Sequence, residues 1–233
     1  MIPSASKPLR WLVLRPRRSG MANLITIARF PVLVAAVLLL YTAAPLTRLI
    51  SVVLLVVLIG LDTLDGVVAR ARNETSLMGS VLDIMADRAV ELVLWVCYAD
   101  LRLIPVAIPI VFVLRGTVVD SLRSMTVSAG KAPFRGMRSR TGAWLVGSPL
   151  MRTTYGLSKF VSFTGLALTH VLGAYAAQPG SHVSGESVRS LLAVFAVTSW
   201  VAVGLCLLRG LPVVVEALPS PGTYQGTRRS TMR

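Results

Sequence analysis

Asp62-Thr-Leu-Asp65-Gly66-Val-Val-Ala69-Arg70, followed by Gly79-Ser-Val-Leu-Asp83-Ile-Met-Ala-Asp87, is the stretch on which the reading of this chain turns. It sets four aspartates inside two long apolar runs. An ionised side chain at the middle of a membrane helix costs roughly 2.5–3.5 kcal/mol. Four such groups left alone would cost on the order of 10–14 kcal/mol, comparable to the whole stability of a domain. Something must neutralise them, so the acids mark a site. A helix turns by about 100° per residue, which puts Asp62 and Asp65 about 60° apart on one face and Asp83 and Asp87 about 40° apart on another. The link from Arg70 to Gly79 is short, so the two helices are expected to be antiparallel neighbours whose acidic faces meet near one membrane surface. An all-oxygen donor set suits hard divalent cations such as Mg²⁺ or Mn²⁺. Gly66, Ala69 and Gly79 leave room for a bulky ligand against the backbone, and Arg70 offers a planar donor fork for phosphate.

The rest of the chain agrees with a membrane setting. Of 233 residues, 54% are hydrophobic and only 15% charged, with a mean hydropathy of +0.71. A soluble domain carries about 25% charged residues, so a soluble enzyme and a disordered chain are both excluded. The formal charge is +14. Beside long apolar runs, such an excess points to anionic lipid and anionic substrates rather than to nucleic acid. Cys97 and Cys206 both lie in apolar runs and form no CxxC pair, so they read as buried thiols.

Six stretches have the length of a membrane helix: about 24–44, 49–69, 80–98, 103–119, 154–177 and 188–208. The expected fold class is therefore an all-α integral membrane protein with six transmembrane helices and an N-terminal interfacial amphipathic segment. Residues 1–22 form that basic segment, with no signal peptide ahead of the first span; 23–210 form the membrane domain and 211–233 a flexible tail. Alternate connections carry nearly all the Lys and Arg outside the spans, and the opposite side holds only Arg48, Arg102 and Arg189. By the positive-inside rule both termini and the acidic site face the cytoplasm, in a cell (inner) membrane. The longest connection, roughly 124–151, reads as a basic loop rich in Gly, Ser and Arg.

Written as Asp62-x2-Asp65-Gly66-x2-Ala69-Arg70-x8-Gly79-x3-Asp83-x3-Asp87, the opening stretch resembles the signature of the CDP-alcohol phosphotransferase (CDP-alcohol phosphatidyltransferase) family, complete at all eight fixed positions. At roughly one in twenty per position, a chance match is on the order of 10⁻¹⁰ per start. Asn23-Leu-Ile-Thr26-Ile-Ala-Arg29 also resembles the family's pattern before the first span. The resemblance implies displacement of CMP from a CDP-linked donor by an alcohol, with two divalent ions, Mg²⁺ or Mn²⁺, and a homodimer. It implies Asp62, Asp65, Asp83 and Asp87 as metal ligands, Asp87 also as the general base. It implies a donor surface for CDP-diacylglycerol made of Asn23, Thr26, Gly66, Ala69, Arg70, Ser76 and Gly79.

For the acceptor, Arg115-x7-Arg123 continuing to Gly130-Lys131 is similar to bacterial phosphatidylglycerophosphate synthases. This favours glycerol 3-phosphate held by Arg115, Arg123, Lys131 and Arg152. The chain departs from that group at Ser124, at Met151-Arg152-Thr153-Thr154 and at Asp87-Arg88. Inositol phosphate and phosphatidylglycerol therefore stay open as acceptors. Two other readings of the acids are a cation transporter and a buried ion-pair network with Arg29, Arg88 and Arg115. Lys159 reads as an acceptor contact or as a partner of Asp120, and Glu91 as a tuner of Asp87 or a partner of Arg88.

Overall fold

The structure, a computed structural model, describes residues 21–71, 77–128 and 140–217. The interfacial segment expected before residue 21 and the tail from 218 lie outside the described residues. The described chain is helical throughout, with no strand: α1 (Met21–Leu40), α2 (Pro45–Ala71), α3 (Leu77–Asp100), α4 (Ala107–Ser128), α5 (Arg140–Gly147), α6 (Pro149–Ala176) and α7 (Gly185–Ala217). Four of these are long and apolar enough to cross a membrane: α1, α2, α6 and α7. With 24 and 22 residues, α3 and α4 have the length but carry charges, among them Asp83, Asp87, Arg88, Glu91, Arg115 and Asp120. Several of those charges cancel within the protein, as described below.

The principal packings close a ring in the order α1–α2–α6–α7–α4–α3. Two expectations are corrected here. Among the described residues, the acidic faces of α2 and α3 meet as expected but the two helices are not principal packing neighbours; α1 lies against both, and each has its other main neighbour elsewhere, α6 for α2 and α4 for α3. The basic connection after the fourth helix is not all loop. It contains α5, and the next long helix begins at Pro149 rather than near Thr154. The cause is local: Ser148 takes the N-cap position, its hydroxyl accepting from the Met151 amide at 3.2 Å, and Pro149 supplies a preset φ where no backbone donor is needed. Composition averaged over a polar window hides such a start.

Aromatic side chains fill the interior of the ring. Trp95, fully buried, stacks on Phe112 at 4.9 Å and meets Phe163 at 4.6 Å between ring centroids. The Tyr98 hydroxyl donates to the Phe163 carbonyl at 2.7 Å, so a buried polar group is satisfied where it ties α3 to α6. The outward faces keep large apolar residues exposed, such as Leu38, Val53, Val197 and Val201, as a surface against lipid requires. After α3 the chain reverses through a Schellman pair: the Leu103 amide donates to Tyr98 and the Arg102 amide to Ala99, with Arg102 at φ 58°. Cys97 and Cys206 are buried free thiols.

Candidate functional site

Three of the four aspartates meet. One carboxylate oxygen from each of Asp62 on α2 and Asp83 and Asp87 on α3 lies within 4.8 Å of the others. The fourth, Asp65, follows Asp62 by about one turn on α2. Its side chain, and those of Gly66, Ala69 and Arg70, lie outside the described residues, as does Ser76. Gly79 sits in the first turn of α3, about one turn before Asp83.

The helix between α2 and α3 supplies the cluster's counter-charge. Arg29 of α1, only 3% exposed, reaches Asp62 Oδ1 at 2.8 Å and Asp83 Oδ1 at 3.5 Å through one terminal nitrogen. Its other terminal nitrogen donates to Asp87 Oδ1 at 2.8 Å. The carboxylates themselves remain 38–55% exposed. Arg29 therefore closes the protein side of the cluster and leaves the other side open to solvent and ligands. Thr26, one turn before Arg29, is buried, and Asn23 is half-buried near the start of α1. The ion-pair alternative thus holds for Arg29, but not for Arg88 or Arg115, which pair or pack elsewhere. Converging hard oxygens that already hold one cation fit a divalent ion by donor chemistry.

A cavity of about 640 Å³ opens beside the cluster and is lined by Asp62 and Asp87 together with Arg29, Glu91, Arg152, Tyr155, Lys159 and Arg209. Of the expected acceptor residues, Arg152 lines it. Arg115 is not among the lining residues; it packs on α7, where a Cβ added at Gly210 would come within 3.0 Å of its side chain. The side chain of Arg123 and the whole of Lys131 lie outside the described residues. Reading the sequence missed Arg209 and Tyr155. Arg209 falls just past the expected last span, 188–208, but α7 runs on to Ala217, so this arginine lies well inside a helix; a cation beside so long an apolar run was the available signal.

Glu91, one turn beyond Asp87 and 4% exposed, is the hub of the cavity wall. Its Oε1 accepts from the Tyr155 hydroxyl at 2.8 Å and faces the Lys159 ammonium at 3.1 Å, while Oε2 accepts from Arg88 at 3.0 Å. Arg88 in turn reaches Asp120 at 3.2 Å. The expected partner of Lys159 is thus corrected: it pairs with Glu91, because Arg88 already occupies Asp120.

The model of the CDP-alcohol phosphatidyltransferase family matches residues 20–176, from the start of α1 to the end of α6. This chain belongs to the CDP-alcohol phosphatidyltransferase family. It is accordingly a transferase of phospholipid synthesis, embedded in a membrane by several apolar helices, from a family that uses CDP-alcohol substrates and generally depends on divalent metal ions. No curated protein matches the chain. The family match takes in the whole acidic cluster and leaves out α7, so Arg209 lines the cavity beside the cluster from beyond the matched region.

Proposed function

We propose that this chain is a phosphatidyltransferase that joins the phosphatidyl group of CDP-diacylglycerol to an anionic polar alcohol and releases CMP, with glycerol 3-phosphate as the favoured acceptor. The observation that carries the reading is the cavity itself: it runs from the aspartate cluster to Arg152, Lys159 and Arg209, a wall of cations beside a candidate base. In the reaction, the acceptor hydroxyl oxygen forms a bond to the phosphatidyl phosphorus. The bond from that phosphorus to the oxygen bridging to CMP breaks, and CMP leaves with the electron pair.

Asp87, half-exposed and lining the cavity, takes the proton from the attacking hydroxyl. Asp62, Asp65, Asp83 and Asp87 would hold two Mg²⁺ or Mn²⁺ ions, which supply neutralisation of the diphosphate charge when bound. Asn23, Thr26, Gly66, Ala69, Arg70, Ser76 and Gly79 form the donor side by resemblance. The remaining family traits follow the same reading: six spans, with α3 and α4 turning their charges inward, a cytoplasmic site in the inner membrane, and a homodimer.

The test is CMP release by purified protein with Mg²⁺ or Mn²⁺ and CDP-diacylglycerol, across glycerol 3-phosphate, inositol phosphate, serine and phosphatidylglycerol. Release stimulated most by glycerol 3-phosphate supports the proposal. Stimulation only by serine overturns the anionic acceptor, and metal flux into vesicles without CMP release would restore the transporter alternative.

A further inference from the structure

Lysine carries about 2 kcal/mol of rotamer entropy, so an ammonium lining a binding cavity is useful for recognition only where something holds it. On Lys159 the holding group is identifiable. Glu91 Oε1 lies 3.1 Å from its nitrogen, and the Tyr155 ring lies beneath it at 4.5 Å. Glu91 is itself fixed from two sides, by the Tyr155 hydroxyl on Oε1 and by Arg88 on Oε2. Both carboxylate oxygens are therefore engaged as acceptors, which an amide cannot reproduce because it has one acceptor atom and one donor group. The three helices α3, α4 and α6 meet through this network, so its position is set by the packing of the ring. Along α3, Glu91 follows Asp87 by four residues, about 6 Å. The held ammonium and the candidate base line the same cavity, so an acceptor whose hydroxyl meets Asp87 can present an anionic group to Lys159.

We propose that Glu91 is a positioning residue for the acceptor: it seats the Lys159 ammonium on the cavity wall so that an alcohol carrying an anionic group a few bonds from its hydroxyl is oriented toward Asp87. Glu91 touches neither substrate and acts through Lys159. The proposal rests on the anionic-acceptor reading above.

The test uses the full chain, with glycerol 3-phosphate and CDP-diacylglycerol as probes and CMP release in Mn²⁺ as the signal. Glu91→Gln raises the KM for glycerol 3-phosphate about tenfold and leaves that for CDP-diacylglycerol within about twofold. Lys159→Gln has the same effect, and the double substitution is no worse than either single one, as expected where one group acts through the other. Glu91→Asp, which keeps the charge on a shorter arm, falls between Gln and Glu. Equal rises in both KM values, a loss confined to kcat, or additive single effects would reduce Glu91 to a structural residue and overturn the proposal. Should Glu91→Gln fail to fold, Lys159→Gln decides alone, and an unmoved acceptor KM overturns it. If the unsubstituted protein turns over only uncharged alcohols, the acceptor reading itself fails and takes this proposal with it.

Discussion

Replacing Arg29 by glutamine would remove the one cation that touches all three described carboxylates of the cluster. Arg29 is 3% exposed, but its partners are 38%, 49% and 55% exposed. Breaking a wholly buried ion pair costs about 3–5 kcal/mol, whereas exposed pairs contribute about 0–1 kcal/mol each. Solvent screening of the carboxylates places the combined loss between these limits, at about 1–3 kcal/mol. In a chain of this size each kcal/mol moves the melting point by about 2–4 °C, so Arg29→Gln should melt about 2–12 °C lower in EDTA. With saturating Mn²⁺ the gap should narrow, because an ion held by the freed carboxylates stabilises the folded state by its own binding. Mn²⁺ should also bind the variant more tightly than the parent, since no guanidinium competes for the same oxygens. Thermal unfolding in detergent with and without Mn²⁺, and Mn²⁺ titration by electron paramagnetic resonance, read both effects. An equal fall in melting point with and without the ion, or weaker Mn²⁺ binding, would refute the reasoning that arginine and metal share these ligands.

Asp87→Asn should lower the rate of CMP release at least about a hundredfold, the usual contribution of a positioned base, while the protein still folds; full activity in this variant would remove the base assignment. At Gly165 a Cβ would overlap the ring of Phe195 across the α6–α7 contact. Gly165→Ala should therefore destabilise the protein by about 1–3 kcal/mol, read as a lower melting point with unchanged substrate affinities. Arg102 holds a left-handed backbone conformation at φ 58° in the reversal after α3. Glycine adopts that conformation without the Cβ penalty, so Arg102→Gly should raise stability by about 0.5–1 kcal/mol in thermal unfolding.

What could be read along the chain was whatever depends on neighbours in sequence. Hydropathy and length gave the existence and order of the six long helices, because apolar length is a property each segment has by itself, but not their ends: α4 and α7 each run nine residues past the expected stretch. The spacing of Asp62, Asp83 and Asp87 located the cluster, since helical period fixes which side chains share a face. The start of α6 at Pro149 was not legible, because a single cap and a proline decided it against the average composition around it.

The tertiary structure alone decided which helix faces which. Two acidic helices joined by a short link suggested direct pairing, yet α1 packs on both and brings Arg29 into the cluster. Likewise Lys159 was expected to meet an acceptor or Asp120, and in the fold Arg88 sits on Asp120 while Lys159 meets Glu91. The extension of α7 past Arg209 keeps this arginine on a helix and in the cavity wall. The physical reason is the same in each case. A charge in an apolar environment must find a partner, and the sequence states that requirement; which partner meets it depends on contacts 32 to 68 residues apart along the chain and is set by the packing of the ring.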